Sequence, residues 1–286
     1  MQNGIGNNII ITEPSKNLRT LGRNALSGKW KVAILTVLVY TLILNLPYEI
    51  LNALFGVNLT DMMYGSNAYQ GIDADIYSDM YYGAPAVSPL AGVYLLLVTG
   101  PLQLGVSLFF LAMFRRQLVA VSDIFLGFEK FSKALGLLLF QALFIMLWSM
   151  LFVIPGIIAA LRYSQAFFIL ADDPEKGIRQ CMNESKAMMK GNKGKYFCLM
   201  LSFIGWILLA SIPASVVNAI GANLGADGMM STMFALVGTL FSVPVMAYLT
   251  STQAGFYEIL AGHLIKETEP APVEPIESSE NDEVQG

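Results

Sequence analysis

Six long apolar segments dominate the 286-residue sequence and restrict the folds open to it. They occupy about residues 30–55, 89–114, 134–154, 156–170, 196–220 and 231–260. A helix needs about 20 apolar residues to cross the ~30 Å hydrocarbon core of a bilayer, where the backbone must satisfy its own hydrogen bonds. Overall, 55% of the residues are hydrophobic and only 13% are charged. The sequence therefore predicts an all-α fold, a polytopic transmembrane helical bundle with six spans.

The third and fourth apolar segments form the least regular part of this pattern. One continuous helix over 134–170 would be about 55 Å long at ~1.5 Å per residue, which is too long for a single crossing. We therefore expect a hairpin that turns at Pro155-Gly156. The fourth segment then has only about 14 residues, which is compatible with a short crossing or with a re-entrant helix.

A basic amphipathic segment precedes each pair of spans, and we call these segments elbows. The elbows cover residues 15–27, 122–132 and 174–190. Gly28 and Gly191 predict where the first and third elbow helices stop, and Asp173-Pro174 predicts where the third begins. Because the order elbow, span, span occurs three times, we predict three elbow-plus-hairpin units. Basic amphipathic helices of this kind lie in the plane of the membrane interface.

The 17 Lys and Arg residues are unevenly distributed along the chain. None occurs in the outer loop 56–88 or in the connection 221–228, and only Arg162 lies deep in an apolar segment. Lys and Arg accumulate in cytoplasmic loops, so this pattern predicts cytoplasmic N- and C-termini and an even number of spans. Outside the membrane domain, 15–266, we expect a loose N-terminus at 1–14 and a disordered acidic tail at 267–286.

Several ordered motifs resemble those of one bacterial family. They are Ile154-Pro155-Gly156-Ile157-Ile158, Tyr163-Ser164, Leu170-Ala171-Asp172-Asp173-Pro174, residues 185–191 and Leu201-Ser202-Phe203-Ile204-Gly205-Trp206. Over about residues 18–260 the chain resembles the domain-of-unknown-function 975 family of integral membrane proteins. It is more distantly similar to the membrane domain of glycerophosphodiester phosphodiesterases. The resemblance implies a multi-pass protein of the bacterial plasma membrane, although Gln165 and the long outer loop depart from the family pattern.

Arg162, Gln165 and Glu258 are the candidate intramembrane polar site. A charge in the middle of a span costs ~2.5–3.5 kcal/mol on insertion scales, so Arg162 needs phosphate, a partner or a wet cavity. Arg162 either snorkels towards lipid phosphates from a short fourth span or pairs with a carboxylate such as Glu258. We favour snorkelling. Gln165 lies three residues further on, over the same helix face.

Six basic residues in and after the third elbow are the predicted contacts with anionic inner-leaflet lipids. They are Lys176, Arg179, Lys186, Lys190, Lys193 and Lys195. Each Lys or Arg near an anionic surface contributes ~1 kcal/mol, and salt weakens the attraction. In the alternative interpretation, the Met-rich face of this elbow packs against the inner ends of the bundle.

The sequence has few groups that suggest an enzyme or a metal protein. Cys181, Cys198 and the single His263 do not make a Cys/His zinc site, and no spacing of a nucleophile and a base stands out. The acidic residues of the outer loop lack the EF-hand spacing. We therefore expect no cofactor, no nucleic-acid partner and no catalysis. A non-enzymatic module that organises lipid or a partner protein at the inner face is the first hypothesis, and a transporter with a polar site near the broken fourth span is the alternative.

Overall fold

The structure is a computed structural model that describes residues 9–58, 86–225 and 229–264. Within these ranges the helices are α1 (Ser15–Leu26), α2 (Trp30–Phe55), α3 (Pro89–Phe114), a 3-10 helix (Val121–Lys130), α4 (Phe131–Leu151), α5 (Val153–Tyr163), α6 (Ala166–Asp172), α7 (Ile178–Met188), α8 (Lys193–Asn223), α9 (Met229–Leu240) and α10 (Val243–Leu260). Two short strands, β1 (Val57–Asn58) and β2 (Ala86–Val87), pair antiparallel where the outer loop leaves and rejoins the helices.

The all-α membrane bundle predicted from the sequence is confirmed. Five helical segments within the described residues are long and apolar enough to cross a membrane, with mean hydropathies between 1.6 and 2.1. A sixth candidate consists of Met233–Leu240 and Val243–Leu260, which meet at an angle of 50°. The number six therefore depends on whether this bent pair is one span. Most of the outer loop and the whole acidic tail, 267–286, lie outside the described residues.

The second hairpin turns earlier than we predicted. Phe152 is extended, with φ −161° and ψ 155°, and it separates α4 from α5. Pro155 lies in the first turn of α5, where a missing N–H breaks no helical hydrogen bond, so Pro155-Gly156 is part of a helix and is not the turn. The break ends the third candidate span, Val121–Leu151, in which α4 covers Phe131–Leu151. It also lengthens the fourth, which is a 20-residue candidate over Val153–Asp172.

The second and third elbows also differ from their predicted helices. The second is a 3-10 helix, in which residues three apart align, so Ile124 and Gly127 face α3 together. The third begins at Ile178 and not at Pro174. Asp173 instead accepts the backbone N–H of Glu175 at 3.1 Å, which closes a turn after α6. Gly28 and Gly191 have φ of +76° and +87° and end the first and third elbows as predicted.

Each elbow packs against the second span of a hairpin, and small residues allow the approach. The first elbow, α1, lies on α10, where a Cβ at Gly22 would come within 2.8 Å of the Thr252 Cα. The 3-10 elbow lies on α3, where a Cβ at Gly127 would overlap the carbonyl oxygen of Pro101. The third elbow, α7, lies on α6. The three-unit arrangement stays a prediction, because each elbow contacts a span outside the hairpin that follows it in the sequence.

Ser185 forms hydrogen bonds where the third elbow crosses the fourth span. Its Oγ donates to the carbonyl oxygen of Arg162 at 2.9 Å and accepts the N–H of Gln165 at 3.2 Å, which satisfies backbone groups at the break between α5 and α6. Beyond the points where the elbows cross them, α3, α6 and α10 continue for about two turns. These extensions hold the large buried side chains of the core, among them Phe109, Phe110, Ile169, Phe256 and Tyr257.

Candidate functional site

The ends of α3, α6 and α10 meet in a group of ion pairs. Arg115 follows α3, Asp172 ends α6, and Glu258 lies in the last turn of α10. The Arg115 Nη2 lies 2.5 Å from Asp172 Oδ1, and its Nε lies 2.9 Å from Glu258 Oε1. The side chain of Glu258 is 2% exposed, whereas that of Arg115 is 34% exposed. One guanidinium therefore holds two carboxylates from two other helices, and Arg is suited to this because its donors form a planar fork.

Two further side chains complete this group. The Tyr257 hydroxyl donates to Asp172 Oδ2 at 2.9 Å, and its ring stacks on Phe168 with centroids 5.7 Å apart. The His263 Nδ1 lies 2.8 Å from Glu258 Oε2. We call Arg115, Asp172, Tyr257, Glu258 and His263 the ion-pair cluster. Partial burial lowers the pKa of Arg115, but its hydrogen bonds and charge interactions with Asp172 and Glu258 outweigh that effect and raise it.

A cavity of about 340 Å³ opens beside the ion-pair cluster. It is lined by Phe114, Arg115, Asp172, Glu258, His263 and Leu264. The carboxylates on its wall already accept hydrogen bonds from Arg115, Tyr257 or both, so neither is an unpartnered base. This arrangement favours a role in tying three helix ends together over acid–base chemistry.

The structure separates the three residues that the sequence grouped as an intramembrane polar site. Arg162 and Gln165 flank the break in the fourth span, next to the third elbow. Glu258 belongs to the ion-pair cluster, where its partner is Arg115, so the pair of Arg162 with Glu258 that was the alternative to snorkelling is not formed. Arg162 has no ion pair among the described residues, and its Nε is buried without a hydrogen-bond partner. Gln165 is fully buried, and its Nε2 donates to Ser164 Oγ at 3.0 Å.

Sequence reasoning missed Arg115 and Asp172 as members of a site. We used Arg115 only to orient the chain and Asp172 only as part of a family motif. Arg115 lies 57 residues from Asp172 and 143 residues from Glu258 in the sequence, so no local pattern links these residues. The sequence offered one signal for this site: Arg115, Asp172 and Glu258 each lie at or just after the end of the second span of a predicted hairpin.

Polar contacts bring the elbows and the adjoining ends of the spans to one end of the bundle. We call this end the basic face, because it carries the exposed residues Lys16, Arg23, Lys31, Arg116 and Lys186. The Lys29 Nζ donates to Gln117 O at 3.1 Å, joining the start of α2 to the chain after α3. The Lys133 Nζ donates to Pro174 O at 2.6 Å, joining the start of α4 to the chain after α6. The Asn192 Oδ1 accepts the N–H of Ile11 at 2.9 Å, which brings the described N-terminal segment to the start of α8.

The predicted lipid-contact residues of the third elbow have different environments. Lys176 is engaged by Glu184 at 2.8 Å, and Lys195 donates to Thr12 O at 3.1 Å. Burial lowers the pKa of Lys176, but the hydrogen bond to Glu184 and the charges of Glu184, Asp173 and Asp172 together outweigh it, and the net shift is upward. Arg179 and Lys186 are exposed, and neither they nor Lys193 has an acidic partner among the described residues. Lys190 is exposed at the end of the same elbow.

Cys181 lies on the third elbow, and its side chain is buried. It is fully buried on α7, and burial, together with Glu184, raises its pKa to about 11. The thiol therefore stays protonated at neutral pH and is a poor nucleophile, as expected for a cysteine that packs like a small apolar residue.

Comparison with known proteins connects this arrangement to one family. The sequence model described as "Protein of unknown function (DUF975)" matches residues 12–160 and 150–263. The chain belongs to the DUF975 family. The matched ranges include all three elbows and all the candidate spans, so the family resemblance noted in the motifs is confirmed. No curated protein and no solved structure matches the chain. The distant similarity to the membrane domain of glycerophosphodiester phosphodiesterases is not shown by these comparisons.

Proposed function

We propose that this DUF975 protein is a non-enzymatic module that binds anionic phospholipids along its basic face. In this proposal the basic face is cytoplasmic and the membrane is the bacterial plasma membrane. The observation that carries it is the excess of cations on the basic face that have no acidic partner. Membranes of this kind carry a negative surface potential on the cytoplasmic leaflet, which attracts such cations.

The charge balance of the basic face supports this proposal. Acidic side chains engage Arg115, Lys130 and Lys176. Lys16, Arg23, Lys31, Arg116 and Lys186 are exposed and have no acidic partner within the described ranges. Each such residue near an anionic surface contributes ~1 kcal/mol, so several acting together favour lipids with net negative headgroups.

Neutralising these five exposed residues is the direct test. We expect the variant with Gln at positions 16, 23, 31, 116 and 186 to lose most of its preference for phosphatidylglycerol over phosphatidylcholine. The preference is measured by native mass spectrometry of the full chain in detergent with equal amounts of both lipids. The control exchanges Lys and Arg at the same five positions and keeps the preference. A wild-type protein that binds both lipids equally contradicts the proposal.

The orientation of the basic face is tested separately. In a chain with Cys181→Ala and Cys198→Ala, we expect Leu224→Cys to react with a membrane-impermeant maleimide on intact cells. Leu118→Cys should react only after the cells are permeabilised. Both positions are well exposed, at 70% and 102%, so accessibility from the correct compartment decides the result. Labelling at position 118 on intact cells would reverse the proposed topology.

A transporter with a polar site at the broken fourth span is the second candidate. The buried Nε of Arg162, which lacks a hydrogen-bond partner, favours it, because such groups in transporters mark solute or ion pathways. The proposed site is weaker than the sequence suggested, since Glu258 is bound to Arg115 and His263. We therefore prefer the lipid-binding module.

A further inference from the structure

A second cavity lies between the third elbow and the second hairpin, away from the ion-pair cluster. Its volume is about 240 Å³, and its lining residues are Phe140, Phe144, Tyr163, Arg179, Met182 and Asn183. The first two come from α4 and the third from α5, which are both apolar spans. The other three come from α7, the third elbow. The cavity therefore lies where the elbow meets the membrane-spanning helices.

One wall of the cavity is mainly aromatic and the other carries polar side chains. Phe140 and Phe144 are 37% and 38% exposed, and the ring of Phe144 packs at 6.1 Å, centroid to centroid, from that of Tyr163. Because these rings belong to a candidate span and a helix of the next one, the apolar surface that they expose is available to a lipid chain. The elbow supplies the Arg179 guanidinium and the Asn183 amide, both on exposed residues. Arg179 has no acidic partner among the described residues, so its charge is available to an anion.

We propose that this cavity holds one anionic phospholipid, with its phosphate on Arg179 and Asn183 and its acyl chain along Phe140 and Phe144. The guanidinium offers paired donors that match phosphate oxygens, and the amide of Asn183 offers two more. The volume is below the ~300–1,000 Å³ of pockets that enclose whole small molecules, which suits a phosphate and the first methylenes of a chain that continues into the bilayer. The inference rests on the proposed lipid-binding function and identifies a site for it.

Two variants separate a defined site from general surface charge. Arg179→Gln removes the phosphate partner, and Asn183→Phe fills the cavity while leaving Arg179 intact. We expect each to weaken the tightest phosphatidylglycerol binding about tenfold, measured by native mass spectrometry of the full chain in detergent. Lys186→Gln is the matched control, because it removes an exposed charge from the same helix but does not line the cavity. Because Lys186 contributes to the charge of the basic face, its loss should weaken this binding, but by clearly less than the tenfold expected of Arg179→Gln. Arg179→Lys should lie between, because lysine keeps the charge and loses the paired donors.

Each result of this experiment has a definite meaning. Equal weakening by Arg179→Gln and Lys186→Gln, with no effect of Asn183→Phe, overturns the cavity site and leaves the proposed function intact. A wild-type chain with no preference for phosphatidylglycerol over phosphatidylcholine overturns both. Displacement of the lipid by millimolar glycerol phosphate as effectively as by phosphatidylglycerol identifies a soluble phosphate ester as the occupant and also overturns the lipid site. Unchanged thermal melts of the variants show that the fold is retained.

Discussion

Arg115→Met is expected to be among the most destabilising single substitutions in the chain. It leaves Glu258, whose side chain is 2% exposed, without its main cationic partner, and it removes the ion pair to Asp172. Breaking a buried ion pair costs ~3–5 kcal/mol, and we expect about 3 kcal/mol because the Arg115 side chain is 34% exposed. The measurement is thermal unfolding of the purified protein in detergent.

Arg116→Met is the matched control for this prediction. Arg116 is the next residue, is exposed and has no ion pair among the described residues, so its loss should change stability by less than ~0.5 kcal/mol. Adding Glu258→Met to Arg115→Met should recover part of the loss, since the carboxylate that lacks a partner is then gone. The pair Arg162→Met and Glu258→Met should be additive within ~0.5 kcal/mol. Strong coupling between positions 162 and 258 would contradict the separation of the two sites.

The second large effect is expected from Gly105→Ala in α3. A Cβ at this position would overlap the carbonyl oxygen of Ile124 and come within 2.6 Å of its carbonyl carbon. Both atoms are backbone atoms of the 3-10 elbow, so no rotamer change relieves the contact and the elbow must move away from α3. Overpacking usually costs ~1–3 kcal/mol, and we expect a loss at or above the upper value.

Gly92→Ala, in the same helix, tests whether the destabilisation by Gly105→Ala comes from the crossing of α3 and the 3-10 elbow. A Cβ at Gly92 meets nothing within 4 Å, so alanine there should be neutral or should stabilise α3 by up to ~1 kcal/mol. The comparison uses one helix, one type of substitution and one melting assay. Similar melting temperatures for the two variants would mean that the 3-10 elbow does not need close contact with α3.

The candidate spans could be predicted from the sequence because hydropathy and length are properties of single segments. The breaks were harder to predict, since they depend on which backbone groups find partners. Pro155 indicated a turn, yet it fits the first turn of α5 and the chain breaks at Phe152. Similarly, Asp173 and Pro174 have the residue types of a helix start, but Asp173 binds the N–H of Glu175 and the elbow helix begins later.

Prediction of the candidate site was limited in the same way, because its polar residues find their partners on distant parts of the chain. Glu258 was grouped with Arg162 in one candidate site, and pairing of the two was the alternative to snorkelling of Arg162. The partner of Glu258 is instead Arg115, 143 residues away, and only the packing of α3 against α10 brings them together. The unpartnered cations of the basic face were predictable as a group, because the positive-inside rule depends on counts and not on pairs.

The contact between α1 and α10 has a consequence for how the protein is made. The first elbow emerges from the ribosome long before α10, yet α10 supplies the surface on which α1 packs and which covers Gly22. During synthesis, the apolar face of α1 must therefore remain on the membrane surface or on a chaperone until about 230 further residues have been added, the separation of Ser251 and Gly22 being 229. The last of the described helices thus covers the first. A nascent chain that stops before Val243 would expose that face to proteases that act on incompletely assembled membrane proteins.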